Sequence, residues 1–168
     1  MADADVVAQP PAETGIVAEL FHHNPGEARK KIFELEARML TEGGAENAAE
    51  LPIKHSFIDG AYAREMTITA GTLLVGHIHK KDCFNFVSRG HITVLTEEGI
   101  REIRAPAAFP SNGGVKRVGY AHETTVWTTV HVTDEIDPER MVEVLTVPSY
   151  EEYERLTRVL LQVEGPQE

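Results

Sequence analysis

One cysteine, Cys83, stands among 168 residues. No disulfide can form within the chain, so a core must hold the fold. Long apolar runs are missing too: nothing approaches the about 18 residues that a membrane-crossing helix needs. Positive charge is scarce, with 16 Lys and Arg against 27 Asp and Glu, a formal net charge of -11. A phosphate backbone is gripped by a cationic face, and anionic headgroups attract the same kind of surface. Neither nucleic acid nor a membrane is therefore expected as a partner. Aromatic residues make up 7% of the chain and tryptophan occurs once, at Trp127. Four motifs are absent as well: the phosphate-binding GxxxxGK[ST], the dinucleotide GxGxxG, the nucleophile elbow GxSxG and the zinc-protease HExxH. Ser88, Ser111 and Ser149 have no evident histidine and carboxylate escort, which argues against a serine hydrolase. The opening MADADVVAQPP is acidic and Pro-bearing, unlike a basic and then apolar secretory leader. With the lone thiol, it predicts a cytoplasmic setting.

What is present divides into four segments. Residues 1–15 read as a flexible tail, broken by Pro10, Pro11 and Gly15. Residues 16–54 read as a helical arm and linker. Asn24 as cap, Pro25 at the first helical position and Glu27 three residues after Asn24 predict a helix start. Ile32, Leu35, Met39 and Leu40 then recur at helical spacing until Gly43 and Gly44. The helix is predicted to pack on the main body or on a second subunit, and a homodimer is expected.

Residues 55–148 change texture, with short runs rich in Val, Ile, Thr, Phe and Tyr between Gly, Asn, Asp and Pro. Strands are predicted at about 62–68, 73–78, 84–88, 91–95, 101–104, 116–120, 126–132 and 142–147. Eight strands at this spacing, with no room for crossover helices, predict an antiparallel closed or two-layered fold. ITVLTEEGIREI reads as a hairpin turning at Glu97 and Glu98. Residues 149–168 read as a C-terminal helix and tail, with Tyr150, Tyr153, Leu156, Val159 and Leu160 on one stripe.

Within the strand region lies HIHKKDC, residues 77–83. Gly71 is followed by five residues, His77-Ile78-His79, three residues, Cys83, six residues and Gly90. This spacing resembles the first motif of small cupin domains, with Cys83 where that family has a glutamate. Further on, Gly114, two residues and Arg117 resemble the second motif, with arginine where the family has its third metal histidine. Pro110 lies two positions earlier than that motif asks, and His122 follows five residues after Arg117. GAYAREMTITAGTLLVGHIHKKD and TTVWTTVHVTD are similar to cupin-like proteins of tailed bacteriophage and bacterial genomes. The resemblance implies an all-β double-stranded β-helix, the cupin jelly roll, with an N-terminal helical arm and a C-terminal helix. It also implies a divalent transition metal, but no particular reaction.

On a strand, His77 and His79 point to one face, because side chains repeat every two residues. Imidazole suits Fe, Zn, Mn and Ni alike. Cys83 is either a thiolate ligand or a small buried apolar residue. His122 is either a third imidazole ligand or a turn histidine. Arg117 offers a fork suited to a carboxylate or phosphate, and Tyr62 and Arg64 share a strand face that could line the same pocket. His91 and His131 sit in predicted strands with no partner that the sequence names. Two functions fit these residues. One is a metal-binding cupin with a pocket for a small, anionic molecule; the other is a non-catalytic cupin acting as an oligomeric structural or interaction module.

Overall fold

A computed structural model describes residues 6–8, 27–42 and 51–163. The Asn24 and Pro25 cap, the linker at 43–50 and the last residues lie outside them. The described chain runs β1 (Val6–Ala8), α1 (Ala28–Glu42), β2 (Ile53–Ile58), β3 (Ala61–Ile68), β4 (Leu73–Val75), β5 (Ile78–His79), β6 (Cys83–Arg89), β7 (His91–Thr96), β8 (Gly99–Arg104), β9 (Ala107–Ser111), β10 (Val118–Ala121), β11 (Thr125–Val132), α2 (Met141–Leu145), β12 (Thr146–Val147) and α3 (Tyr150–Val163).

The strands form two five-stranded antiparallel sheets, β1-β4-β10-β7-β8 and β2-β3-β11-β6-β9, and a small β12-β5 pair. From β3 to β4, β6 to β7, β8 to β9 and β10 to β11 the chain passes between the two large sheets. This is the jelly roll of a cupin fold, flanked by helices at both ends of the chain. Ile68, Leu74, Val87, Ile92, Val94 and Trp127 meet in the core between the sheets.

Helix α1 covers the outer face of the first sheet, so it packs on the body of its own chain. Ile32, Leu35 and Met39 pack against Leu73, Val75, Leu95 and Val118. Strand β4 is consequently buried on both faces, which explains its unbroken apolar run LLV. Leu40 falls off that stripe and is 61% exposed. Buried Lys116 pairs with Glu36 of α1 at 2.8 Å and lies over the Phe33 ring. Arg29 pairs with Glu97 and stacks on Tyr150 at the start of α3. The helix is thus tied to Lys116, the residue before Arg117.

Several expected boundaries move. The strand predicted at 142–147 is mostly helix α2, with only Thr146 and Val147 extended. VEVLTV alternates like a strand, but Asp137 caps Glu139 N at 3.0 Å and Pro138 follows it, which launches a helical turn. The run predicted at 73–78 breaks at Gly76 and His77. Strand β10 begins at Val118, not at 116. Strand β1 lies inside the segment expected as tail and pairs with β4. Strands β2 and β9 were not expected. β2 starts in the expected linker, and β9 contains Pro110, which an edge strand tolerates. The 91–104 hairpin forms as expected, with Thr96 paired to Gly99.

Candidate metal centre

Three side chains from separate strands converge at one end of the second sheet. His79 comes from β5, Cys83 from the start of β6 and His131 from β11, and their ligand atoms all lie within 4.8 Å of one another. Cys83 Sγ is 3.5 Å from His79 Nδ1, and the His79 and His131 rings meet edge-on with centroids 4.7 Å apart. Sulfur and nitrogen sharing one tetrahedral zinc at ordinary bond lengths stand about 3.6 Å apart. Cys83 Sγ and His79 Nδ1 already stand at that separation, and the cluster is consistent with a site for a divalent transition metal. Its N, N, S donor set suits Zn or Fe better than Mg or Ca.

The fold fixes each ligand. β5 is only two residues long, yet Thr146 pairs with His79 across β12. Gly114 N donates to the His79 carbonyl at 2.8 Å, and Lys80 N donates to the Leu145 carbonyl at 2.8 Å. On β11, alternation turns Trp127, Thr129 and His131 to the buried face. On β6 it does the same for Cys83, Asn85 and Val87. Asn85 is fully buried and links these strands. Its Oδ1 accepts from Trp127 Nε1 at 3.0 Å and Thr129 Oγ1 at 3.3 Å, while its Nδ2 points to Cys83 Sγ at 3.9 Å. Asp82 faces the other way, as the alternation predicts, and accepts from Gly113 N at 2.9 Å.

Burial sets the protonation states. It holds the His79 imidazole well below its usual pKa, helped by His131, Arg117 and Arg64. It pushes His131 down to about 4, with Arg64 and Arg117 adding to the effect. Both rings are neutral near pH 7, the form that binds metal. Burial also raises the Cys83 thiol, against the opposing pull of Arg117. One stability prediction follows. Above its ordinary pKa of about 6.5, His131 is neutral whether folded or unfolded. Between pH 6.5 and about 4 only the unfolded chain takes up the proton, so the metal-free protein loses stability as pH falls. The separation corresponds to a loss on the order of 3 kcal/mol. Urea unfolding across this range should show the slope, and His131→Gln should reduce it, leaving the part that the likewise depressed His79 contributes.

The residues expected from sequence separate into groups. His79 and Cys83 are in the cluster. His77 lines a small cavity of about 70 Å³ beside it, as do His79, Arg64 and Arg117. Both histidines of HIH border this cavity, although the converging ligand atoms are those of His79, Cys83 and His131. Tyr62 stands behind His131, with ring centroids 6.3 Å apart, and its hydroxyl bonds to His55 Nδ1 at 2.8 Å. His122 is elsewhere. Its Nε2 is 2.6 Å from Thr93 Oγ1 and its ring stacks on His91 at 4.4 Å. His131 joins the cluster although the sequence names no partner for it. The alternation Trp127, Thr129, His131 was the available signal.

Behind the small cavity lies a second one of about 190 Å³, bordered by β7, β8, β9 and the 111–117 segment. Val94, Arg117 and Trp127 line both.

No protein-family model and no curated protein matches this sequence. Solved structures with similar folds include ectoine synthase from P. lautus, at 11% identity and a TM-score of 0.48, over 56% of this chain and 71% of that one. KdgF from Halomonas sp. is similar at 15% identity and a TM-score of 0.45, over 53% of this chain and 84% of that one. A putative acetylacetone dioxygenase from Methylibium petroleiphilum is similar at 15% identity and a TM-score of 0.43, over 54% of this chain and 69% of that one.

Proposed function

We propose that this chain is a metal-binding cupin whose barrel pocket takes a small anionic molecule at a divalent transition metal held by His79, Cys83 and His131. The observation that carries this reading is the convergence of these three donors from separate strands. Three protein ligands leave one position of a tetrahedral ion for water or substrate, as in catalytic zinc sites. A metal there supplies Lewis acidity to a bound oxygen. Arg64 and Arg117 line the adjoining cavity and give it positive charge. Thr129 and Asn85 hold the Cys83 strand against the His131 strand.

Metal content by mass spectrometry tests this reading, on untagged protein purified without added metal. About one transition-metal ion per chain is expected, absent when His79 and His131 are both replaced by alanine. No ion in the parent protein, even after anaerobic reconstitution with Fe, Zn, Mn and Ni, would sink the proposal.

A second reading, an oligomeric module, has its own observation. The outer face of the second sheet exposes Phe84, Phe86, Ile58 and Val132, at 56%, 43%, 75% and 80%. A contiguous apolar sheet face of this kind marks an association surface, and a homodimer joined there is compatible with metal binding. Light scattering on the same preparation reads its mass.

A further inference from the structure

Among the described residues, β8 and β9 are edge strands of the two large sheets, and residues of both line the larger cavity. Its position makes Arg101 notable. Arg101 pairs with Val94 across the β7–β8 ladder, so it shares the inward face of Val94 and Ile103. Its guanidinium rests over the Phe109 ring at 4.9 Å, which holds it across the gap between the sheet edges.

Arg117 enters the same space from the other end, donating to Ser111 Oγ. Each guanidinium has five N–H donors. Among the described residues neither Arg101 nor Arg117 forms an ion pair, and Glu98 is the single carboxylate lining the cavity. Burial lowers the Arg117 pKa and the Arg101 charge adds to this, while Cys83 and Glu98 act the other way. Two cations that repel each other in a shared cavity are an arrangement an anion would relieve. Asn112 and Ser111 add neutral hydrogen-bonding groups on the opposite wall.

We propose that this edge cavity is a seat for the carboxylate of a small organic acid, held between Arg101 and Arg117. Because Arg117, Val94 and Trp127 border both cavities, the acid spans them: its carboxylate lies at the sheet edge and its other end reaches the metal centre. The second half of this statement rests on the metal-binding reading above; the first half does not. The ligand class is then an organic acid carrying an oxygen or nitrogen donor away from its carboxylate. The edge between β8 and β9 is its way in. Glu98 disfavours acids with a second negative charge near the entrance.

Trp127, the sole tryptophan, borders both cavities and reports their occupancy. The experiment titrates the metal-free full chain with acetate, succinate and inorganic phosphate at constant ionic strength, following Trp127 fluorescence. Saturable binding of a carboxylate is expected, weakened several-fold by Arg101→Gln, because Arg101 is exposed and solvent screens its charged hydrogen bond. Glu98→Gln should tighten it several-fold. Circular dichroism and urea midpoints establish that both variants are folded. Zinc titration of the same samples should be unchanged by Arg101→Gln. Binding that ignores Arg101→Gln, or no saturable binding of either carboxylate, overturns the carboxylate seat. Arg101-dependent binding of phosphate alone overturns the carboxylate assignment. If carboxylate binding survives but zinc does not bind, the metal reading fails and the seat stands. If zinc binds and the carboxylates do not, the reverse holds.

Discussion

His131→Ala should lower zinc affinity by more than about a hundredfold, while His77→Ala and His122→Ala each change it by less than about tenfold. Disturbing groups behind a ligand costs about 10- to 100-fold, so removal of a true ligand must exceed that range. His131 offers a neutral nitrogen to the shared site, as does His79, because burial keeps both rings unprotonated. His122 cannot substitute, since its ring is engaged with Thr93 and His91. His77 borders the cavity but lies outside the group of atoms within 4.8 Å. Competition against a chromophoric chelator measures all three affinities. Cobalt adds an independent readout: a thiolate-to-cobalt charge-transfer absorption that Cys83→Ser abolishes. Equal losses in His77→Ala and His131→Ala would mean that a four-donor site forms on metal binding. An effect of His77→Ala alone would restore the ligand pair HIH that the sequence suggests.

The sequence pointed to two of the three donors in this cluster. His79 and Cys83 are four residues apart, and their spacing to Gly71 and Gly90 is a local pattern that can be read along one stretch. His131 lies 48 residues beyond Cys83 in the chain. It reaches the site only because β11 pairs with β3 on one side and β6 on the other, with Val130 opposite Phe84. Strand register is a long-range property, and shifting it by one residue would turn His131 outward. The pattern Trp127, Thr129, His131 fixed which residues share a face, not which face meets Cys83. Arg117 was legible as a cation near the barrel, whereas Arg101 was not. It reads as one more charge in IREIR until β8 becomes an edge strand whose inner face borders a cavity. Helix α2 was missed for a different reason. Period-two alternation in VEVLTV competes with a local cap at Asp137, and the cap prevailed. The two-sheet jelly roll itself was legible, because strand composition and turn spacing repeat across about 90 residues and do not depend on any single register.

Gly90→Ala should destabilise the protein by more than about 3 kcal/mol, and Gly71→Ala by only about 1 kcal/mol. The motif spacing treats these two glycines alike, and both adopt positive φ, +91° and +82°. Their surroundings differ. A Cβ on Gly71 meets nothing within 4 Å, so alanine there pays the left-handed backbone cost alone. A Cβ on Gly90 would stand 2.4 Å from the Thr124 carbonyl oxygen and 2.7 Å from Thr125 Cα. Those are backbone atoms, and they cannot rotate aside as a side chain could. Moving them means displacing the turn between β10 and β11, which the His91 carbonyl holds by accepting from His122 N and Glu123 N. It also means shifting the first residue of β11, the strand that delivers His131. Gly90 therefore lets two sheet corners touch where β11 begins. Urea unfolding of the two variants provides the comparison, and zinc titration of any Gly90→Ala protein that folds adds a second readout. Equal stability losses would mean that the corner yields, and that close packing at Gly90 does not set the path of β11.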